Sequence, residues 1–238
     1  MSSVQRPDAR LKDTTFDAAA AASTITDNIN TKVHDEEWAN GLSHSIGCIA
    51  SIIGGFYLMQ AVIARGSGPE IIACTIYVAA LISVYAASTL SHWVTTPGWR
   101  SVFRTWDQGL IYLLIVGTYT PLAVAHVTGW WQIVTVCMWL IALGGFISKV
   151  AMRHRIDKIS LWIYLALGWL PVLVAPCLFD HINILGLILG GGIAYSVGSI
   201  FLMNDHRGRY FHVGWHLFVM AGSAIHFYAI WLCALPPT

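Results

Sequence analysis

The chain has 238 residues, 56% of them hydrophobic and only 11% charged, with a formal net charge of +1 and a mean hydropathy of +0.64. A soluble domain carries about 25% charged residues, so this composition excludes a single water-soluble globule, and the near-neutral balance offers no basic field for nucleic acid. Cys48, Cys74, Cys137, Cys177 and Cys233 stand singly in apolar segments with no C-x-x-C pair, which predicts reduced thiols packed as small hydrophobes.

In chain order, residues 1–35 form a polar segment with an alanine run at 18–22 and no apolar stretch long enough for a signal peptide. The expectation is a disordered or loosely helical tail, with residues 36–238 as the folded domain. A membrane-crossing helix needs about 20 mostly apolar residues. Seven segments meet that requirement: 42–64, 70–93, 106–126, 131–151, 159–179, 182–203 and 211–235. Short connectors rich in turn or charged residues separate them, so the predicted fold is an all-α integral membrane protein, a seven-transmembrane-helix bundle. Small-residue clusters such as "GLILGGGIAYSVGS" suit close helix approach. Pro121 should kink the third span, and Pro171 and Pro176 should bend the fifth. Trp38, Trp93, Trp99, Trp106, Trp130, Trp131 and Trp231 fall near span ends, as an aromatic belt would.

Cytoplasmic loops of membrane proteins are enriched in Lys and Arg. With the distant Arg6, Arg10 and Lys12 set aside, Lys32, Arg100, Arg104, Lys149, Arg153, Arg155, Lys158, Arg207 and Arg209 lie on one side and Arg65 alone on the other. The N-terminus is therefore expected in the cytoplasm and the C-terminus outside. That orientation brings His92, Asp107, His212 and His216, from three different helices, to the cytoplasmic leaflet.

Ionisable groups inside spans are costly and mark functional sites. Taken singly, His92 has the setting of an interfacial histidine, and Asp107 that of a helix cap or a partner for Arg104. His212 and His216, four apart at the start of the last span in "YFHVGWHLF", share one helix face. Three histidines and a carboxylate at one depth favour a metal centre over chance clustering. His226 lies about 15 Å beyond His216 along the helix and is expected to pack or hydrogen-bond in the core. His44, in "EEWANGLSH", sits at the depth of the centre as a supporting or structural polar contact, with direct ligation as the alternative. His34, His126, His154, His181 and His206 fall in the tail or connectors and are expected to be solvated.

Three neutral imidazoles with an open position suit a catalytic zinc, which acidifies water and polarises a carbonyl. No glutamate lies between His212 and His216, so a general base must come from elsewhere, and Asp107 is the carboxylate at the right depth. Ser88, one turn from His92, either supports an oxygen at the metal or bonds back to its own helix.

The set Ser88-x-x-x-His92, Asp107 followed by "GTYTP", and His212-x-x-x-His216, with the opening "EEWANGLSHSIG", resembles the hemolysin III family. That family is the bacterial branch of the progestin and adiponectin receptor superfamily. The resemblance covers about residues 35–235 and leaves the tail unmatched. It implies a seven-helix bundle in the bacterial cytoplasmic (inner) membrane, with Zn2+ held by His92, His212 and His216, Asp107 acting on water at the metal, and Ser88 nearby. The partner it implies is a membrane lipid, fatty-acyl or lipid-amide, in a cavity within the bundle. The leading function is then a zinc-dependent intramembrane hydrolase of lipid amides or esters. The alternatives are a non-enzymatic sensor of membrane lipid state, in which zinc staples the second and seventh spans, and a pore-forming haemolysin. The last is disfavoured because no charged stripe lines a conduit.

Overall fold

The computed structural model describes residues 8–152 and 158–234, with side chains described for 31–32, 34–151 and 160–234. Arg6, Arg153, His154 and Arg155, which entered the charge count or the connectors above, lie outside the described residues. Among the described residues the α-helices follow in order: α1 (Asp8–Arg65), α2 (Gly68–Trp93), α3 (Pro97–His126), α4 (Gln132–Met152), α5 (Lys158–Trp169), α6 (Ile182–Met203) and α7 (Phe211–Ala234). Short 3₁₀ helices occupy Gly129–Trp131, Leu170–His181 and Asp205–Arg207. No strand occurs among the described residues.

Sequence chemistry sets the boundaries. α1 ends at Arg65 because Gly66 takes φ +73°, the left-handed position that only glycine adopts without a Cβ penalty. α2 then starts with a proline in its first turn, and α3 does the same at Pro97 after an extended Thr96. α3 runs unbroken through Pro121 to His126. The fifth expected span differs: the α-helix stops at Trp169, and the chain passes through Pro171 and Pro176 as 3₁₀ helix before resuming at Ile182. Two missing backbone donors account for the change.

Among the described residues, six helical segments are long and apolar enough to cross a membrane. One of them, Ser160–Met203, has 44 residues, because the 3₁₀ stretch leaves no gap between the fifth and sixth expected spans. The first is His34–Arg65, within α1, which is helical from Asp8. Lys149, counted above with a connector, lies inside α4 and is buried.

α3 is the central helix and touches α2, α4, α5, α7 and the Leu170–His181 segment. α1 lies against α2 and α7, and α6 packs along α7. One packed core joins α1, α2 and α7 through Leu58, Tyr77, Leu81 and Ile230, and a second joins α3, α4 and α5 through Val116, Met138 and Leu167. Outward faces carry Ile49, Ile53, Phe56, Leu140 and Ile147, as lipid contact requires. Trp93, Trp99 and Trp130 are exposed near helix ends, Trp38 and Trp106 are exposed within α1 and α3, and Trp131 and Trp231 are half-buried.

Lipid tails are as apolar as leucine, so close packing and interhelical hydrogen bonds hold the helices together, each bond contributing about 0.6 kcal/mol. Tyr85 of α2 donates to Ser223 of α7 at 2.9 Å, and Tyr195 of α6 meets the same hydroxyl at 2.8 Å. His226 of α7 bonds the Ile188 carbonyl of α6 at 3.0 Å. Its ring occupies the space a Cβ on Gly191 would need, 2.2 Å from Nε2. His226 is therefore an interhelical residue, well along α7 from His212 and His216, as its position in the helix predicts.

Candidate metal centre

His92 lies in the last turn of α2, and His212 and His216 lie in the first two turns of α7. α1 stands between those helix ends and contacts both, which lets their side chains converge. Each of the three residues offers one donor atom, and these atoms all lie within 4.8 Å of one another. The ring centroids are 5.4 Å apart for His92 and His212, 5.2 Å for His92 and His216, and 4.6 Å for His212 and His216. His216 is 1% exposed, while the other two are half-buried.

The fit to a metal is decided by what the other ring nitrogens do. His92 Nδ1 donates to Glu37 Oε2 at 2.7 Å. Ser43 gives its single proton to the Asn40 carbonyl at 2.8 Å. Its 2.9 Å contact with His216 Nδ1 therefore has the imidazole N–H as donor. His212 Nδ1 faces Asp205 Oδ2 at 3.9 Å. All three rings thus turn Nδ1 toward an oxygen of another residue, which leaves the Nε2 lone pairs of His92 and His216 free to ligate. Metal-bound histidines are oriented in this manner, by a carboxylate or other acceptor on the far nitrogen. The donor set fits a zinc ion with three nitrogen ligands.

Glu37 does more than orient His92. Its other oxygen pairs with Arg100, and with Arg104 at 3.4 Å, so one carboxylate ties α1 to α2 and α3. Glu37→Gln keeps the size but weakens the acceptor and both ion pairs. The expected result is a metal affinity about 10–100-fold lower, read by competition against a zinc-chelating dye; unchanged affinity would show that Glu37 has no part in the centre.

Ser88 joins the centre through His44, and Asp107 lies on α3. α3 starts at Pro97, ten residues before Asp107, so Asp107 is not a helix cap. Arg104 makes its ion pair with Glu37, and its charge also acts on Asp107. The half-buried Asp107 side chain interacts with Ser88 across the α2–α3 contact. Ser88 is 1% exposed, and its hydroxyl meets His44 Nδ1 at 2.7 Å. Bonding back to its own helix is the role of Ser91, which donates to the Ser88 carbonyl at 2.8 Å.

His44 is buried and stacks on His216, with centroids 3.5 Å apart and planes 17° apart. Its Nε2 has no hydrogen-bond partner. Ser88, His44 and His216 therefore form one continuous line of contacts from α2 through α1 to α7. Spacing alone did not identify Glu37, Asn40 and Ser43, although 37, 40, 44 and 47 recur at helical intervals on one face of α1.

This pattern of helices and polar residues can be set beside known proteins. Residues 32–227 match the family model described as Haemolysin-III related. The chain belongs to that family. Hemolysin-3 of Bacillus cereus is 36% identical over 205 residues, spanning 84% of this chain and 93% of that protein. The Hemolysin-3 homolog of Bacillus subtilis (strain 168) is 34% identical over 198 residues, 82% of this chain and 92% of its own length. A human protein named Monocyte to macrophage differentiation factor is 28% identical over 213 residues, 82% and 83% of the two chains. Family membership and the long apolar helices together make this a multi-pass membrane protein of the haemolysin-III-related family. The matched region holds Glu37, Ser43, His44, Ser88, His92, Asp107, Asp205, His212 and His216, the side chains of the centre described above.

Proposed function

We propose that this protein is a zinc-dependent hydrolase that cleaves an amide or ester bond of a membrane lipid within one leaflet. The observation that carries the reading is the division of the three imidazoles into oriented Nδ1 sides and converging donor sides, with a carboxylate and a hydroxyl alongside. His92, His212 and His216 would hold the ion, which when bound supplies Lewis acidity toward a carbonyl and acidifies water. Asp107 takes the proton of the attacking water and returns it to the leaving amine or alcohol. Ser88, held by His44, supports an oxygen of the substrate. The lipid class follows from location, since a site at the end of apolar helices is reached most readily by lateral diffusion in the bilayer. A groove of about 340 Å3 lined by Ser101, Val102, Thr105, Trp106 and Val150 opens at the same end of α3 and offers room for an acyl chain.

The reading includes seven crossings, with the 44-residue segment Ser160–Met203 counted as two, since about 20 residues suffice for one. It also includes a cytoplasmic N-terminus with residues 1–35 as a polar tail, and residence in the bacterial cytoplasmic membrane. The excess of basic residues on one side supports the orientation.

The experiment uses detergent-purified protein in mixed micelles with an N-acyl sphingolipid or a phospholipid, followed by lipid mass spectrometry. Stripping metal with a chelator should abolish product, and zinc restored to about one ion per chain should bring it back. A zinc-loaded protein that yields no product from either lipid class sinks the hydrolase reading and leaves the ion as a staple between α2 and α7.

A further inference from the structure

The opposite end of the bundle carries a second group of metal-ligating side chains. His126, expected from sequence to be solvated, is half-buried in the last turn of α3, with Nε2 3.3 Å from the Cys233 sulfur in the last turn of α7. The exposed His181, which immediately precedes α6, places its ring centroid 4.4 Å from that of His126. Three helix ends thus bring a thiol and two imidazoles together. Cys233 is about 25 Å along α7 from His216, so the two groups share no ligand.

Geometry and surroundings both suit an ion. Zinc–sulfur and zinc–nitrogen bonds of about 2.3 and 2.0 Å at a tetrahedral angle place the two donors about 3.5 Å apart, close to the distance between Cys233 and His126. On its other side Cys233 borders a cavity of about 10 Å3, the room of one water-sized sphere, shared with Glu70 and Cys74. Glu70 Oε2 is buried there without a hydrogen-bond partner, 3.4 Å from Arg65 Nε. Arg65 also donates to the Cys233 carbonyl, which fixes the end of α7 against the α1–α2 turn.

We propose that Cys233, His126 and His181 form a second metal site, for a thiophilic ion of the zinc type, at the end of the bundle remote from His92, His212 and His216. Cys233 and His126 are already at ligating separation, and the exposed His181 completes the set by rotating its side chain. Binding replaces the thiol proton, which leaves to solvent. Soft thiolate with imidazole selects zinc or copper over calcium and magnesium.

Cobalt(II) tests the site without interference from the first one, because a thiolate ligand adds a sulfur-to-cobalt charge-transfer band in the near ultraviolet that an all-nitrogen site lacks. Full-length protein loaded with Co2+ in detergent should show that band. Cys233→Ser should abolish it, His126→Ala should weaken its binding at least tenfold, and His212→Ala and Cys74→Ser should leave it intact. Helicity by circular dichroism and elution on size exclusion confirm that each variant is folded. A folded wild type with no charge-transfer band overturns the proposal, as does a band that survives Cys233→Ser or is indifferent to His126→Ala. Retention of the band in His212→Ala keeps this result separate from the fate of the hydrolase reading.

Discussion

Under the proposed hydrolysis, Asp107→Asn is expected to keep the metal at the wild-type level and to lower turnover of the lipid by about 10²–10⁴-fold, the usual contribution of a general acid–base group. Asparagine has the shape of aspartate, so the packing of α3 on α2 persists. It cannot accept a proton from water. Asp107 is not among the three converging donors, which is why occupancy and rate should separate. Metal analysis and lipid mass spectrometry on the same preparation read both quantities. A variant with wild-type turnover would remove Asp107 from the chemistry, and a variant without metal would make it a structural support of the centre.

His212→Ala should cost both metal and activity. The loss of affinity must exceed the ~10–100-fold typical of a residue that merely orients a ligand, because a donor itself is gone. His212 suits the test better than His216, since its side chain is 34% exposed and it lies at the start of α7, so its removal leaves little void. His216 is buried against His44, and truncating it disturbs packing as well as ligation. His212→Ala that retains stoichiometric, tightly held zinc would show that the three imidazoles do not share an ion. Folding of the variant is read from helicity and from the elution position in detergent.

The three histidines could be found from sequence because two sit one turn apart in an apolar segment and the third reaches the same depth once the loop charges set a direction. Asp107 and Ser88 followed from depth and helix face. The supporting groups were harder to see. Ser43 meets His216 across 173 positions and Glu37 meets His92 across 55, and periodicity within one helix says nothing about which helix lies alongside. The α1 pattern did hold a signal, with Glu37, Asn40 and His44 at helical spacing, but it needed the position of α1 between α2 and α7 to acquire meaning. The fifth span shows a different limit. Hydropathy sees apolar content and is blind to missing backbone donors, so Pro171 and Pro176 changed the helix type without changing the profile. His126 and His181 were assigned to loops because they flank apolar segments, whereas α3 continues through His126 and carries it to Cys233.

The neighbours of α7 also impose an order on how the protein comes into being. Asp35, Glu36 and Glu37 follow one another on α1; the first two hold Arg209 just before α7, and the third holds Arg100 and Arg104. Ser43 then accepts from His216, carried by α7 itself. A ribosome delivers α1 before α7, so the acidic cluster on α1 waits for its partner Arg209, and Glu37 and Ser43 wait for the α7 imidazoles, until the chain has been made through the start of α7. A chain released before Phe211 lacks two of the three clustered imidazoles. Convergence of His92, His212 and His216 is thereby a late event that joins the earliest of these helices to the last of them.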